Sequence, residues 1–124
     1  MQKQYLNPMK EWRYTNTVTA SANGMKTIHV SGQIGQGDSH QTQAEDAFKK
    51  IAAELAAAGA THEDVVKLNV YIVNLSQDAI VGVARAKGKF FTAEDQPAST
   101  WVGVTGLVAP GALVEIEAVA IVEA

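Results

Sequence analysis

Apolar and polar residues alternate over residues 26–31 (KTIHVS). Ile28 and Val30 point one way, and Thr27, His29 and Ser31 the other, which is the two-residue period of a half-buried strand. Asn23-Gly24, just before it, is a strong hairpin turn signal and makes 14–22 (YTNTVTASA) the partner strand. After Val30 and Ser31 the stretch GQIGQGDSHQ is rich in glycine and polar residues and reads as a loop.

The period then changes. Ala44, Phe48, Ile51, Leu55 and Ala58 recur at spacings of four and three, forming one helical stripe, while Glu45, Lys49, Lys50 and Glu54 occupy the opposite side. Thr42 with Glu45 predicts a capping box at the helix start, and Gly59 a left-handed stop at its end. Residues 65–73 (VVKLNVYIV) are β-branched and read as a strand. Val66, Leu68, Val70 and Ile72 are expected on one face; Val65, Lys67, Asn69, Tyr71 and Val73 on the other. A second helix is expected over 77–91, with Ile80, Val83, Ala84, Lys87, Phe90 and Phe91 near one stripe, although Gly82 and Gly88 weaken it. Strands at 100–105 and 113–122, joined by a loop with Pro110-Gly111, close the chain. In the last, Val114, Ile116, Ala118 and Ala120 share one face, and Leu113, Glu115, Glu117 and Val119 the other.

The order β-β-α-β-α-β-β over residues 1–124 predicts a single α+β domain: one sheet with two helices packed on one face. The uncovered face would carry His29, Ser31, Asn69, Tyr71 and Glu115 beside Val65, Val73 and Val119. It is too apolar for water and too polar for a dry core. Burying it against copies of the chain resolves the conflict, so a homo-oligomer is expected, with a site where subunits meet.

Composition removes several kinds of chemistry. The 124 residues contain no cysteine, which excludes disulfides, a thiol nucleophile and thiolate metal sites. A formal charge of −3 without a basic block argues against nucleic-acid binding. No apolar run suits a secretion leader or a membrane span, so a cytoplasmic protein without membrane partners is the expectation. GQIGQG (residues 32–37) lacks dinucleotide-fingerprint spacing, and its glycines read as turn residues. His29, His40 and His62 show no ligand spacing, so no metal is expected; His40 and His62 are expected to face solvent and His29 to be a plain strand residue. Ser31 and Ser99 lack a nucleophile-elbow context, and Tyr71 and Trp101 default to packing.

The acidic pair is more informative. Glu115 and Glu117 project from one strand face about 7 Å apart. Apolar neighbours would desolvate a carboxylate and raise its pKa toward the range used in acid–base chemistry. Periodicity favours a solvated or salt-bridged Glu117 and leaves Glu115 open between the two readings.

Four segments taken together carry a resemblance: VSGQIG (30–35), AAGATHEDVVKLNVYI (57–72), KFF before PAST (89–100) and LVEIEAVA (113–120). Collinear from about Tyr14 to the C-terminus, they resemble the Rid family, also called YjgF or L-PSP proteins. The resemblance implies a chorismate-mutase-like fold assembled as a homotrimer with clefts between subunits. It further implies hydrolysis of reactive enamines and imines to a carbonyl compound and ammonia, without metal or cofactor. In the archetypal branch the cleft is formed by a tyrosine, the glycine of SGQ, an arginine after PA and the first glutamate of EIEA. These map onto Tyr14, Gly32 and Glu115, but Ser99 stands where the arginine would be. A guanidinium clamps a carboxylate through two charge-assisted bonds, whereas a serine offers one neutral bond. Efficient turnover of 2-aminoacrylate therefore requires another cation, Arg13 or Arg85, to reach the cleft from another position. Trp101, after Ser99, would narrow the pocket for a more apolar substrate.

The leading expectation is an imine or enamine deaminase not specialised for 2-aminoacrylate, with Glu115 catalytic and Tyr14, Gly32, Ser99 and Trp101 substrate-binding. The alternative is a non-catalytic trimeric protein of the same fold that binds a metabolite or partner. Ribonuclease activity, attached to some relatives by name, ranks last because the chain is acidic.

Overall fold

The computed structural model describes all residues 1–124. Six strands form one mixed sheet: β1 (Gln2–Met9), β2 (Tyr14–Ala22), β3 (Met25–Ile34), β4 (Val65–Val73), β5 (Ala98–Val104) and β6 (Val114–Glu123), in the order β1-β2-β3-β6-β4-β5. The helices α1 (His40–Ala57) and α2 (Gln77–Phe90) connect them. Only β4 and β5 run parallel; every other neighbour is antiparallel. The α+β class with two helices holds, but the chain begins with a strand that no periodicity announces. In β1 only Leu6 is even partly buried, so its residues lack the alternation by which strands are read. No helix is long and apolar enough to cross a membrane.

The β2–β3 hairpin forms as anticipated: Ala22 pairs with Met25, and Asn23 and Gly24 take φ of 55° and 77°, the two positive values of a type I′ turn. The stretch after Gly32 differs from the expected loop, because β3 continues to Ile34. It can do so through a bulge. Val30 faces Ala118 and Gln33 faces Ile116, so Ser31 and Gly32 together oppose Glu117 alone. The extra residue turns Gln33 into the core and Ile34 toward the face of Glu115.

A second irregularity inverts one assignment in β4. Val65 faces Ala120 and Lys67 faces Val119, leaving Val66 as an extra residue; Val65 is 6% exposed and Val66 43%. From Leu68 onward the alternation is as read, with Leu68, Val70 and Ile72 buried. In β6, Val114, Ile116, Ala118 and Ala120 are buried as expected.

Helix α1 starts earlier than the Thr42–Glu45 pattern indicates. Ser39 is the cap: its hydroxyl accepts the Thr42 N–H at 3.1 Å while Thr42 Oγ1 accepts the Ser39 N–H at 3.1 Å. Thr42 is thus the inner partner of the box, and Glu45 is instead ion-paired to Lys89 at 2.8 Å. The buried stripe of α2 is Ala79, Gly82, Val83 and Ala86, one position from that expected at Ile80 and Ala84. Gly82 allows the closeness: a side-chain carbon there would lie 3.3 Å from Gln41 at the start of α1. Phe48 anchors the helix layer, stacked on Phe90 at 4.9 Å and edge-on to Phe91 at 5.9 Å. His40 and His62 do not simply face water. His40 Nε2 lies 2.7 Å from the Val73 carbonyl, and the His62 ring packs 5.5 Å from that of Phe90.

Both helices sit on one face. The other face is bare, and one row across it reads Tyr5, Val18, His29, Val119 and Lys67. β6 lies in the middle of the sheet, which places Glu115 and Glu117 centrally on that uncovered surface.

Candidate active site

The β2–β3 ladder stops at Thr17 and Val30, while β2 continues beside β1 to the Met9–Tyr14 pair. The two strands splay there, and the gap is a cavity of about 680 Å³. Tyr14 and Asn16 line it from β2, residues 31–34 from β3, Glu115 from β6, and Lys50, Ala53 and Glu54 from α1; Met9 and Val108 lie at its rim. Side chains bridge the splayed backbones: Ser31 Oγ donates to the Thr15 carbonyl at 2.6 Å, and Gln33 Nε2 to Asn16 Oδ1 at 2.9 Å. At the helix side Glu54 accepts from Thr17 Oγ1 at 2.8 Å and from Asn7 Nδ2 at 3.0 Å. Asn7 reaches it from a left-handed residue, φ 56°.

Glu115 stands between Ile34 of β3 and Tyr71 of β4. Its side chain runs over Gly32, where an added Cβ would fall 2.7 Å from Glu115 Cδ. Burial pushes its carboxyl up from the ordinary value, and the charge of Glu117 adds to the rise. Glu117 is tied to Asn69, whose Nδ2 donates at 3.3 Å, whereas Glu115 has no such donor within the chain. The Tyr71 phenol is likewise pushed up, first by hydrogen bonding with Glu117 and then by burial. A half-buried carboxyl with a raised pKa, open to a cavity, can hold a proton, release it, or orient a water.

Of the residues singled out from sequence, Tyr14, Gly32 and Glu115 share this cavity. Ser99 and Trp101 do not line it. They sit on β5, the outermost strand, paired with Leu68 and Val70 and so on the helix side of the sheet. There Trp101 Nε1 donates to Ser99 Oγ at 2.7 Å. Arg13 closes the turn after β1, and Arg85 lines a separate depression beside Ser39, His40 and Asp78. His29 lies on the bare face between Val18 and Val119. No three or more His, Asp or Glu residues are grouped to hold a metal ion. Sequence reasoning missed Asn16, Gln33, Lys50 and Glu54. The two α1 residues read as a solvated helix face, and nothing local announces that the splayed strands bring them to a cavity.

The family model described as Endoribonuclease L-PSP matches residues 5–122. A 2-iminobutanoate/2-iminopropanoate deaminase of Dermatophagoides farinae is 32% identical over 105 residues, covering 78% of this chain and 79% of that protein. Among solved structures, Rv2704 of Mycobacterium tuberculosis, described as a member of the YjgF/YER057c/UK114 family, superposes with a TM-score of 0.82 at 31% identity. It covers 98% of this chain and 100% of its own. RidA of the Antarctic bacterium Psychrobacter sp. superposes at 0.75 with 27% identity, covering 89% of each chain. A splayed hairpin, a glycine under a glutamate and a sheet bare on one side are thus built on a shared fold, and the chain belongs to the YjgF/Rid family of L-PSP proteins.

Proposed function

We propose that this protein is a cytoplasmic, cofactor-independent imine or enamine deaminase, working as a homotrimer whose clefts include the Glu115 cavity. The observation that carries the reading is Glu115 itself: half-buried over Gly32, raised in pKa, and open to the cavity. Glu115 takes a proton from a water as the oxygen adds to the C=N carbon and passes it to the substrate nitrogen, giving a carbinolamine. The carbinolamine then collapses to C=O as the C–N bond breaks, its hydroxyl proton passes through the same carboxyl, and ammonia leaves. An enamine enters after protonation at carbon and loss of a proton from nitrogen give the imine. Tyr14 faces the same space and helps position the substrate. This is catalysis by placement and proton transfer, worth about 10²–10⁴-fold for the acid–base part. Ser99 and Trp101, on the outermost strand and outside this cavity, take part in binding only where a neighbouring copy brings β5 to it.

The test is ammonia release from imines generated in place from several amino acids, for the parent and Glu115→Gln. Turnover by the parent and its loss in the variant support the reading; equal rates overturn it. A second reading, a non-catalytic trimeric binding protein, is favoured by one observation. The Ser99 hydroxyl at the archetypal arginine position is already engaged by Trp101. A panel of imines giving no ammonia, together with a ligand-induced rise in melting temperature, would select it.

A further inference from the structure

Lys50 is the one cationic side chain lining the cavity that holds Glu115. It projects from α1, and its Nζ donates to the Ile34 carbonyl at 2.7 Å. Ile34 is the β3 residue directly opposite Glu115. A single backbone hydrogen bond thus fixes an ammonium one strand away from the carboxyl proposed to do the chemistry. That bond uses one of three N–H donors. Lys50 forms a long, solvent-exposed ion pair with Asp46 on the preceding turn, 3.9 Å away, and the same Asp46 oxygen already accepts the Gln36 N–H at 2.7 Å. Glu54, one turn on, is occupied by Asn7 and Thr17. Lys50 therefore keeps two N–H donors, and a charge only weakly compensated by the exposed Asp46, available to the cavity, without an ion pair to Glu115.

We propose that Lys50 is the residue that binds the anionic group of the substrate in this cavity, so that the charge is held from α1 by an ammonium rather than from β5 by a guanidinium. The assignment rests on the deaminase reading. A dipolar substrate suits the cavity: its acid end meets the ammonium, and its C=N end meets Glu115. Because an ammonium is a point charge, the contact selects for negative charge with less demand on orientation than a bidentate clamp makes.

The test is calorimetric binding of 2-oxobutanoate and of its uncharged amide to the parent, Lys50→Met and Lys50→Arg, alongside ammonia release from 2-iminobutanoate. Lys50→Met is expected to weaken the acid by about tenfold or more while leaving the amide unchanged. Lys50→Arg is expected to stay within about threefold of the parent, since it keeps the charge. Equal affinity of parent and Lys50→Met for the acid overturns the Lys50 assignment, whatever the enzyme does. Lysine-dependent binding of the acid without any ammonia release leaves Lys50 as the anion site and overturns only the deaminase reading.

Discussion

The Glu115 carboxylate occupies the volume that a side chain at residue 32 would need. Gly32 is not in a left-handed conformation, so its role is spatial rather than torsional. Gly32→Ala is expected to push Glu115 aside and cost about 1–3 kcal/mol through overpacking. Ammonia release should fall with it. Thermal unfolding and turnover measured together check this, and an alanine variant with parental stability and rate would show that the glutamate had room to spare.

The raised pKa of Glu115 has a sign that stability measurements can read. Its folded-state value lies above the ordinary 4.5, so between the two values the native chain binds more protons than the unfolded one. The contribution of this group to stability therefore falls as pH rises through that window and is regained on acidification below it. Glu115→Gln removes the ionisation. The variant is expected to melt higher than the parent at neutral pH, with the difference shrinking as pH falls through that window and gone below the ordinary value of 4.5, where the parent is protonated in both states. Melting curves at neutral and acidic pH check the sign.

Much of the architecture was legible because α1, β6 and, from Leu68 onward, β4 bury one clean face each. The site was half legible. Gly32 and Glu115 stand in contiguous motifs, SGQ and EIEA, whereas Lys50 and Glu54 reach the cavity only because β2 and β3 separate beyond Thr17 and Val30, a tertiary event with no local signature. β1 was invisible because it is exposed on both sides, and the two bulges were invisible because a one-residue slip leaves composition unchanged while reversing which side chains point inward.

Val65 and Val66 expose the consequence of that slip. Identical in type and adjacent in sequence, they are 6% and 43% exposed. Val65→Thr would bury a hydroxyl among apolar groups and is expected to cost about 1–3 kcal/mol. The same change at Val66 should stay within about 0.5 kcal/mol. Urea unfolding of the two variants decides it; reversed costs would mean that β4 pairs in the other register.

The bare face makes its own prediction. Val119 sits at its centre between His29 and Lys67, on a surface that includes Tyr71 and Val102 with no helix above it. A lysine there would carry an unpaired charge into any interface formed by this face, a cost of several kcal/mol. Sedimentation is expected to find the parent as a species several times heavier than 13.2 kDa and Val119→Lys as a single chain. A parent that sediments as one chain would remove the inter-subunit cleft from the proposed mechanism.

Thr17 and Thr19 form the sharpest stability comparison. Both are fully buried on the helix side of β2, two residues apart. The Thr17 hydroxyl donates to Glu54 at 2.8 Å, a hydrogen bond to a charged acceptor, and Thr17→Val is expected to cost about 1.5–3 kcal/mol. Thr19 Oγ1 is buried with no partner, so it carries a desolvation penalty with nothing to offset it. Thr19→Val keeps the shape and the β-branch while removing that penalty, and is expected to stabilise the fold by about 1 kcal/mol. Opposite signs in chemical denaturation would confirm that the Glu54 network, rather than the packing of the two threonines, holds the strand-splay end of the cavity in place. Equal destabilisation by both changes would instead mean that Thr19 has a hydrogen-bond partner of its own.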